Sequence, residues 1–249
     1  MKTKKNDEIT FRELARETRQ GKHISVLILL LTLNAGWTDL MVYLFLSKVF
    51  ASFMTGNILF IGLALAQVNI GLLVRATIAL VVNLVGVTAG ALVIHRAPLR
   101  GSVLHWRNRI MIALLIEWIF LLAFTLVWFM TSNLAQQNSA QIILLGLAAF
   151  GMGIQGAVVI AFEFPGVVAN AMTGVVLVLG QRLGKGIAGR GVTQTGPAGE
   201  WRWTFLLPVL YALGAVAVGL MYTWPFTPIF PLIISTIAIV YVFLKVGRK

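Results

Sequence analysis

Phe50-Ala-Ser-Phe-Met-Thr-Gly56 and Val168-Ala-Asn-Ala-Met-Thr-Gly174 are two copies of one short pattern, offset by 118 positions. Each is followed six positions later by a second glycine, Gly62 and Gly180. Each copy interrupts an apolar stretch, 49–67 in the first case and 167–183 in the second. In each case an apolar stretch comes before the pattern and two come after it. That order predicts a chain of two related halves, about 24–132 and 140–246, produced by internal duplication.

The surrounding composition fixes the medium. Hydrophobic residues make up 59% of the 249 and charged residues 11%, with a mean hydropathy of +0.90. A water-soluble fold of this length has too little interior for so much apolar surface, so a soluble enzyme is excluded. Six stretches are long enough to cross about 30 Å of hydrocarbon: 24–46, 71–94, 110–130, 140–162, 203–222 and 227–244. The first is too long for the core of a cleaved signal and is expected to remain as an anchor. Residues 1–22 are a polar tail in which Thr10-Phe-Arg-Glu13 reads as a capping box, and residues 23–249 form a single integral membrane domain.

Charge sets the expected orientation. The net charge of +12 comes from Lys and Arg gathered in 1–22, 95–109, 182–202 and 245–249, leaving only Lys48 and Arg75 elsewhere. If both Met-Thr-Gly segments enter and leave on one face, six crossings place every basic cluster on the cytoplasmic side, together with both termini. Three crossings per half then make the second half an inverted repeat of the first. If both segments cross fully, the halves are parallel and residues 95–109 violate the positive-inside rule. The charge pattern favours the inverted arrangement: an all-α polytopic transmembrane helix bundle with a short discontinuous helix in each half. The same charge makes anionic lipid headgroups the natural partner of the basic loops, with no nucleic acid needed to explain it.

A helix start deep in the bilayer presents free N–H groups and the positive end of a dipole. Thr55 and Thr173 are suited to cap such starts, and Gly56 and Gly174 allow close approach, so Thr55, Gly56, Asn57, Thr173 and Gly174 are the expected substrate-binding set. An anion, or the carboxylate of a zwitterion, fits that chemistry. Asp39 lies inside the first span, where an ionised carboxylate costs about 2.5–3.5 kcal/mol to insert. It is either a coupling-ion site, with Asn34 and Thr38 beside it, or the partner of Arg75 in a structural ion pair. Glu117 raises the same question, Glu163 reads as interfacial, and Asn57, Asn83, Gln155 and Asn170 read mainly as helix-to-helix hydrogen-bonding amides.

Other chemistry is thinly represented. Cysteine is absent and the three histidines have no metal-ligand spacing, so no metal or cofactor is expected. No nucleophile–base set is recognisable, so no catalytic residue is assigned and the chain is not expected to be an enzyme. The stretch Gly184-Lys-Gly-Ile-Ala-Gly-Arg-Gly191 lacks the phosphate-loop spacing and reads as a flexible basic connector.

Asn34-Ala-Gly-Trp-Thr-Asp-Leu-Met41, Val49-Phe-Ala-Ser-Phe-Met-Thr-Gly-Asn57, Gly62-Leu-Ala-Leu-Ala-Gln67 and Gly151-Met-Gly-Ile-Gln-Gly-Ala-Val158 together resemble the YoaK family of bacterial multi-pass membrane proteins, a domain of unknown function. The resemblance covers about 24–246. It implies a bacterial plasma (inner) membrane and six or seven helices, and it marks Gly36, Asp39, Met54, Thr55, Gly56 and Asn57. This chain departs from the family pattern at Gln155-Gly156, where relatives often carry Gln-Asn, and lacks the arginine that often follows. The leading expectation is a small secondary transporter or permease for an anionic or zwitterionic solute, able to form a homo-oligomer. The alternative is a non-transporting membrane scaffold or accessory subunit.

Overall fold

A computed structural model describes residues 22–95, 103–131, 138–162, 172–188 and 200–245. The capping box of the tail, Glu163 and Asn170 lie outside them. The described residues are helical, without strands: α1 (Lys22–Val42), α2 (Met54–Ala66), α3 (Ile70–His95), α4 (Val103–Met130), α5 (Asn138–Ala161), α6 (Met172–Ile187), α7 (Glu200–Leu220) and α8 (Ile229–Lys245). A helix is the economical choice for such a sequence, because it satisfies every interior N–H and C=O within the segment itself.

Among the described residues, four helical stretches are both long and apolar enough to span a membrane: His23–Leu46, Ile70–His95, Arg107–Met130 and Ser139–Ala161. The other two expected spans are shorter as apolar helices, Phe205–Leu220 and Ile229–Lys245. The expected connector at 184–191 is a helix in its first part, since α6 continues to Ile187.

Two hydrophobic cores set the direction of each helix. The near core joins Ile24–Leu31 at the start of α1 to Ile94 of α3, Ile110 and Leu114 of α4, Val158 of α5 and Phe162 just beyond it, Val175 of α6, Leu207 of α7, and Val242 of α8. The far core joins Met41 and Leu46 to Ala76, Phe124, Leu144 and Val218, with Phe230 packed against it. Thus α1, α4 and α7 run from the near core to the far one, and α3, α5 and α8 run back. α2 touches only the far core, through Phe60 and Ile61, whereas α6 contributes Met172, Val175 and Leu179 only to the near core.

Two close crossings hold the bundle together. A Cβ on Gly36 of α1 would lie 2.0 Å from the Tyr211 carbonyl oxygen, and one on Gly214 of α7 would lie 2.4 Å from that of Leu33. The α3–α5 pair repeats this geometry: a Cβ on Gly86 falls 2.3 Å from the Phe150 oxygen, and one on Gly153 falls 2.3 Å from the Asn83 oxygen. In both crossings each glycine faces the carbonyl three residues before the other glycine. Backbone touches backbone, which is how helices associate where lipid provides no hydrophobic drive between them.

The chain breaks between α1 and α2. The last turn of α1 widens to a π-helix over Tyr43–Ser47 and stops at Lys48, a left-handed residue with φ 56°. Residues 48–53 then return along α1, so that Ser52 reaches Asp39, about 12 Å back along the helix at 1.5 Å per residue. α2 starts there, and its 13 residues rise about 20 Å. Asn69 closes the following turn by accepting the Leu72 N–H at 3.0 Å, capping α3.

Candidate functional site

A layer of buried polar side chains runs along α1 from the junction of the two apolar cores into the far one. Asp39, between Trp37 and Met41 of the far core, is only 2% exposed. One carboxylate oxygen accepts the Ser52 backbone N–H at 2.6 Å, and the other accepts the Ser52 hydroxyl and the Tyr211 hydroxyl, each at 2.6 Å. Three short bonds to a carboxylate are of the strong, charge-assisted type, each contributing about 1.5–3 kcal/mol. Asp39 therefore ties the non-helical segment of residues 48–53 to α1 and to α7 together. Arg75, the alternative partner weighed for Asp39, lies in α3 and donates none of these three bonds.

The rest of the break is satisfied by amides. Asn57, fully buried, accepts the Phe50 N–H at 2.9 Å and donates to the Phe50 carbonyl at 2.7 Å. Asn83 donates to the Ala51 carbonyl at 3.1 Å and to that of Ala149 at 3.2 Å, which joins the break to α3 and α5. These polar side chains replace the hydrogen bonds that a helix would have supplied internally. Asn83→Ala leaves two carbonyls without this donor. The expected result is a loss of about 1–3 kcal/mol in unfolding free energy, measured by denaturation in mild detergent.

The expected set around Thr55 has separate placements. The N-cap of α2 is Phe53, with no side-chain cap bond, so Thr55 falls inside the first turn and is exposed, correcting its expected capping role. The capping position is taken by an aromatic residue because the break is anchored from Asp39 and Asn57. Gly56 lies beneath rings: a Cβ there would meet Phe53 at 2.6 Å and Phe50 at 2.9 Å. Thr173 and Gly174 are exposed in the first turn of α6, and nothing lies within 4 Å of a Cβ built on Gly174. α2 packs mainly on α3, and α6 on α7. Asp39 and Asn57 thus meet around residues 50–52, whereas Thr55 and Thr173 belong to different ends of the bundle.

A second polar group adjoins the first along α1. Asn34 donates to Gln155 at 2.9 Å and to Glu117 at 3.3 Å, and Gln155 donates to the Leu31 carbonyl at 2.9 Å. Asn34, Glu117 and Gln155 are all fully buried. Among the residues that sequence reasoning passed over, Ser52 and Tyr211 matter most. Ser52 lies inside the quoted repeat, and Tyr211 is a hydroxyl within an apolar stretch, a signal that could have singled it out. Tyr211→Phe removes one of the three donors to Asp39. About 1.5–3 kcal/mol of stability is expected to be lost, read as a lower thermal midpoint with helix content unchanged.

Outside this layer the surface is apolar. Leu59, Leu84, Ile119, Leu126, Val216 and Phe243 are each more than half exposed. Apolar outside and polar within is the arrangement of a protein solvated by lipid, and with four helices long and apolar enough to cross a membrane it defines a helical membrane protein. The chain belongs to the family described as protein of unknown function (DUF1275), which matches residues 27–244. No curated protein and no solved structure matches it.

Proposed function

We propose that this protein is a small secondary transporter of the plasma membrane that moves an anionic or zwitterionic solute by alternating access, and that it is not an enzyme. The observation that carries the reading is the non-helical segment at residues 48–53, held inside the bundle by Asp39, Asn57 and Asn83. Broken backbone at such depth is costly, and membrane proteins keep it where it lines or gates a polar path. In the proposed cycle Ser52 leaves Asp39, and a solute carboxylate takes the place of Asp39 as acceptor beside the Thr55–Gly56–Asn57 turn. Asp39, released, is the coupling group. Thr173 and Gly174 serve the same step from the other face.

The same proposal makes residues 23–249 one membrane domain of two inverted halves, with α2 and α6 re-entrant and both termini cytoplasmic. Three observations support it. α2 stays with the far core and α6 with the near one. Exchanging α1 with α5 and α7 with α3 converts one glycine crossing into the other. Finally, the helix ends nearest in sequence to the basic clusters, at Ile24, Ile94, Ile110, Leu207 and Val242, belong to the near core, whose face would meet the anionic headgroups of the cytoplasmic leaflet. Homo-oligomer formation and kinship with the YoaK family belong to the same reading.

Cysteines introduced at Thr55 and Thr173 are expected to react with a membrane-impermeant thiol reagent from opposite sides in oriented vesicles. Uptake of labelled amino acids and small carboxylates into proteoliposomes provides the functional arm, with Asp39→Asn expected to abolish its proton dependence. Two inert cysteines and no flux for any solute would favour a scaffold or accessory subunit instead.

A further inference from the structure

The Asn34–Glu117–Gln155 group contains more acceptors than donors. Asn34 Nδ2 uses both of its hydrogens, one on Glu117 Oε1 and one on Gln155 Oε1. Gln155 Nε2 gives one hydrogen to the Leu31 carbonyl, and its other reaches neither Asn34 Oδ1 nor Glu117 Oε2. Two oxygens within this group are buried with no partner: Asn34 Oδ1 and Glu117 Oε2. They belong to the two groups already joined by the Nδ2–Oε1 bond. Buried acceptors left in this state are costly, and a charged carboxylate with one 3.3 Å donor is costlier still.

One hydrogen corrects the imbalance. Placed on Glu117 Oε2, it becomes a donor that Asn34 Oδ1 can accept, so acid and amide exchange two hydrogen bonds in a closed pair. A proton needs no cavity, which suits a residue with no exposed surface. We infer that Glu117 and Asn34 form a proton-binding site in the bundle interior, Glu117 holding the proton as a neutral carboxylic acid and Asn34 fixing it.

The surroundings agree with a neutral acid. On α4 the nearest cations in sequence are Arg107 and Arg109, the closer of them about 12 Å along the helix. α1 brings Asn34 to Glu117 and carries Asp39 five residues further on, already engaged by Ser52 and Tyr211. α5 brings Gln155, and α8 brings the buried Ser235 hydroxyl to the interior. On α1 and α8 the remaining titratable residues are Lys22 and His23, and Tyr241 and Lys245, all toward the helix ends, with Tyr43 and Lys48 beyond the end of α1. The two interior carboxyls therefore divide the labour: Asp39, with three donors, is built to hold a charge, and Glu117, with one, is built to hold a proton. This inference is separate from the transport reading and stands or falls without a solute.

Infrared spectroscopy of the full chain in lipid vesicles at neutral pH tests it. The expected spectrum contains the carbonyl stretch of a protonated carboxylic acid, which moves when glutamate is carboxyl-labelled with carbon-13 and stays when only aspartate is labelled. Both measurements use the wild-type chain, so neither depends on a variant folding. Glu117→Gln is expected to lose the band entirely and Asp39→Asn to keep it. A wild-type spectrum without the band, or a band that follows aspartate labelling or survives Glu117→Gln, overturns the assignment. So does a band that sodium chloride removes while a matched choline salt does not, since a metal cation would then hold the site.

Discussion

Gly36→Leu and Gly86→Leu proteins are expected to fail to assemble a stable bundle, whereas Gly62→Leu and Gly146→Leu are expected to remain folded. The contrast follows from what each side chain would meet. At Gly36 the first carbon alone lands 2.0 Å from the Tyr211 carbonyl oxygen, and at Gly86 it lands 2.3 Å from that of Phe150. Neither obstacle is the tip of a side chain that could rotate aside. Each is the backbone of a packed helix, so the only relief is separation of the pair along its whole contact. Overpacking a core with adjustable neighbours costs about 1–3 kcal/mol, and a backbone obstacle belongs at or above the top of that range. Separating α1 from α7 would also draw Tyr211 away from Asp39, adding a lost hydrogen bond to the steric cost. Gly62 and Gly146 have no atom within 4 Å of a built Cβ, so leucine there extends outward. Size-exclusion profiles and protease resistance in detergent read the outcome. An intact Gly36→Leu protein with wild-type resistance would mean that the crossing is not the close one described.

The helices were legible because lipid imposes a length and an apolar content on anything that crosses it, and both can be counted along the chain. The Met-Thr-Gly repeat pointed to a helix from Thr55 capped by that residue, whereas α2 runs from Met54 with Phe53 at its cap. What the sequence does not carry is the identity of tertiary partners. Charge complementarity offered Arg75 as one reading of Asp39, beside a coupling-ion site, whereas the carboxylate accepts from two hydroxyls and a backbone N–H. Ser52 is 13 residues from Asp39 and Tyr211 is 172 away; nothing local to Asp39 announces either. The cap of α2 was misread for the same reason. Threonine is the better intrinsic cap, but the position of the helix start is fixed by Asn57 gripping Phe50, and that places Phe53 at the boundary. Glu117 was visible as one of very few acids in an apolar setting, while its pairing with Asn34 across 83 residues was not.

Asp39→Ala is expected to be the most damaging single polar substitution in the protein. It removes the acceptor for three donors at once, and Ser52 and its backbone N–H lie too deep for water to replace it. Each stranded donor costs about 1–3 kcal/mol, so the total is comparable to the whole stability of many domains. Asp39→Asn keeps one oxygen and adds an amide donor, so it retains part of the network and is expected to fall between wild type and alanine. The damage has a defined location. Residues 48–53 lose their anchor on α1 and α7 but keep Asn57 and Asn83, so the break opens before the helices melt. Hydrogen exchange by mass spectrometry in detergent should therefore show faster exchange confined to peptides covering residues 48–57 in Asp39→Asn, spreading to α1 and α7 in Asp39→Ala. Uniform loss of protection in both variants would instead make Asp39 a support of the whole bundle. Unchanged exchange at residues 48–57 would mean that Ser52 does not depend on Asp39, and with it the latch that the transport cycle requires would be gone.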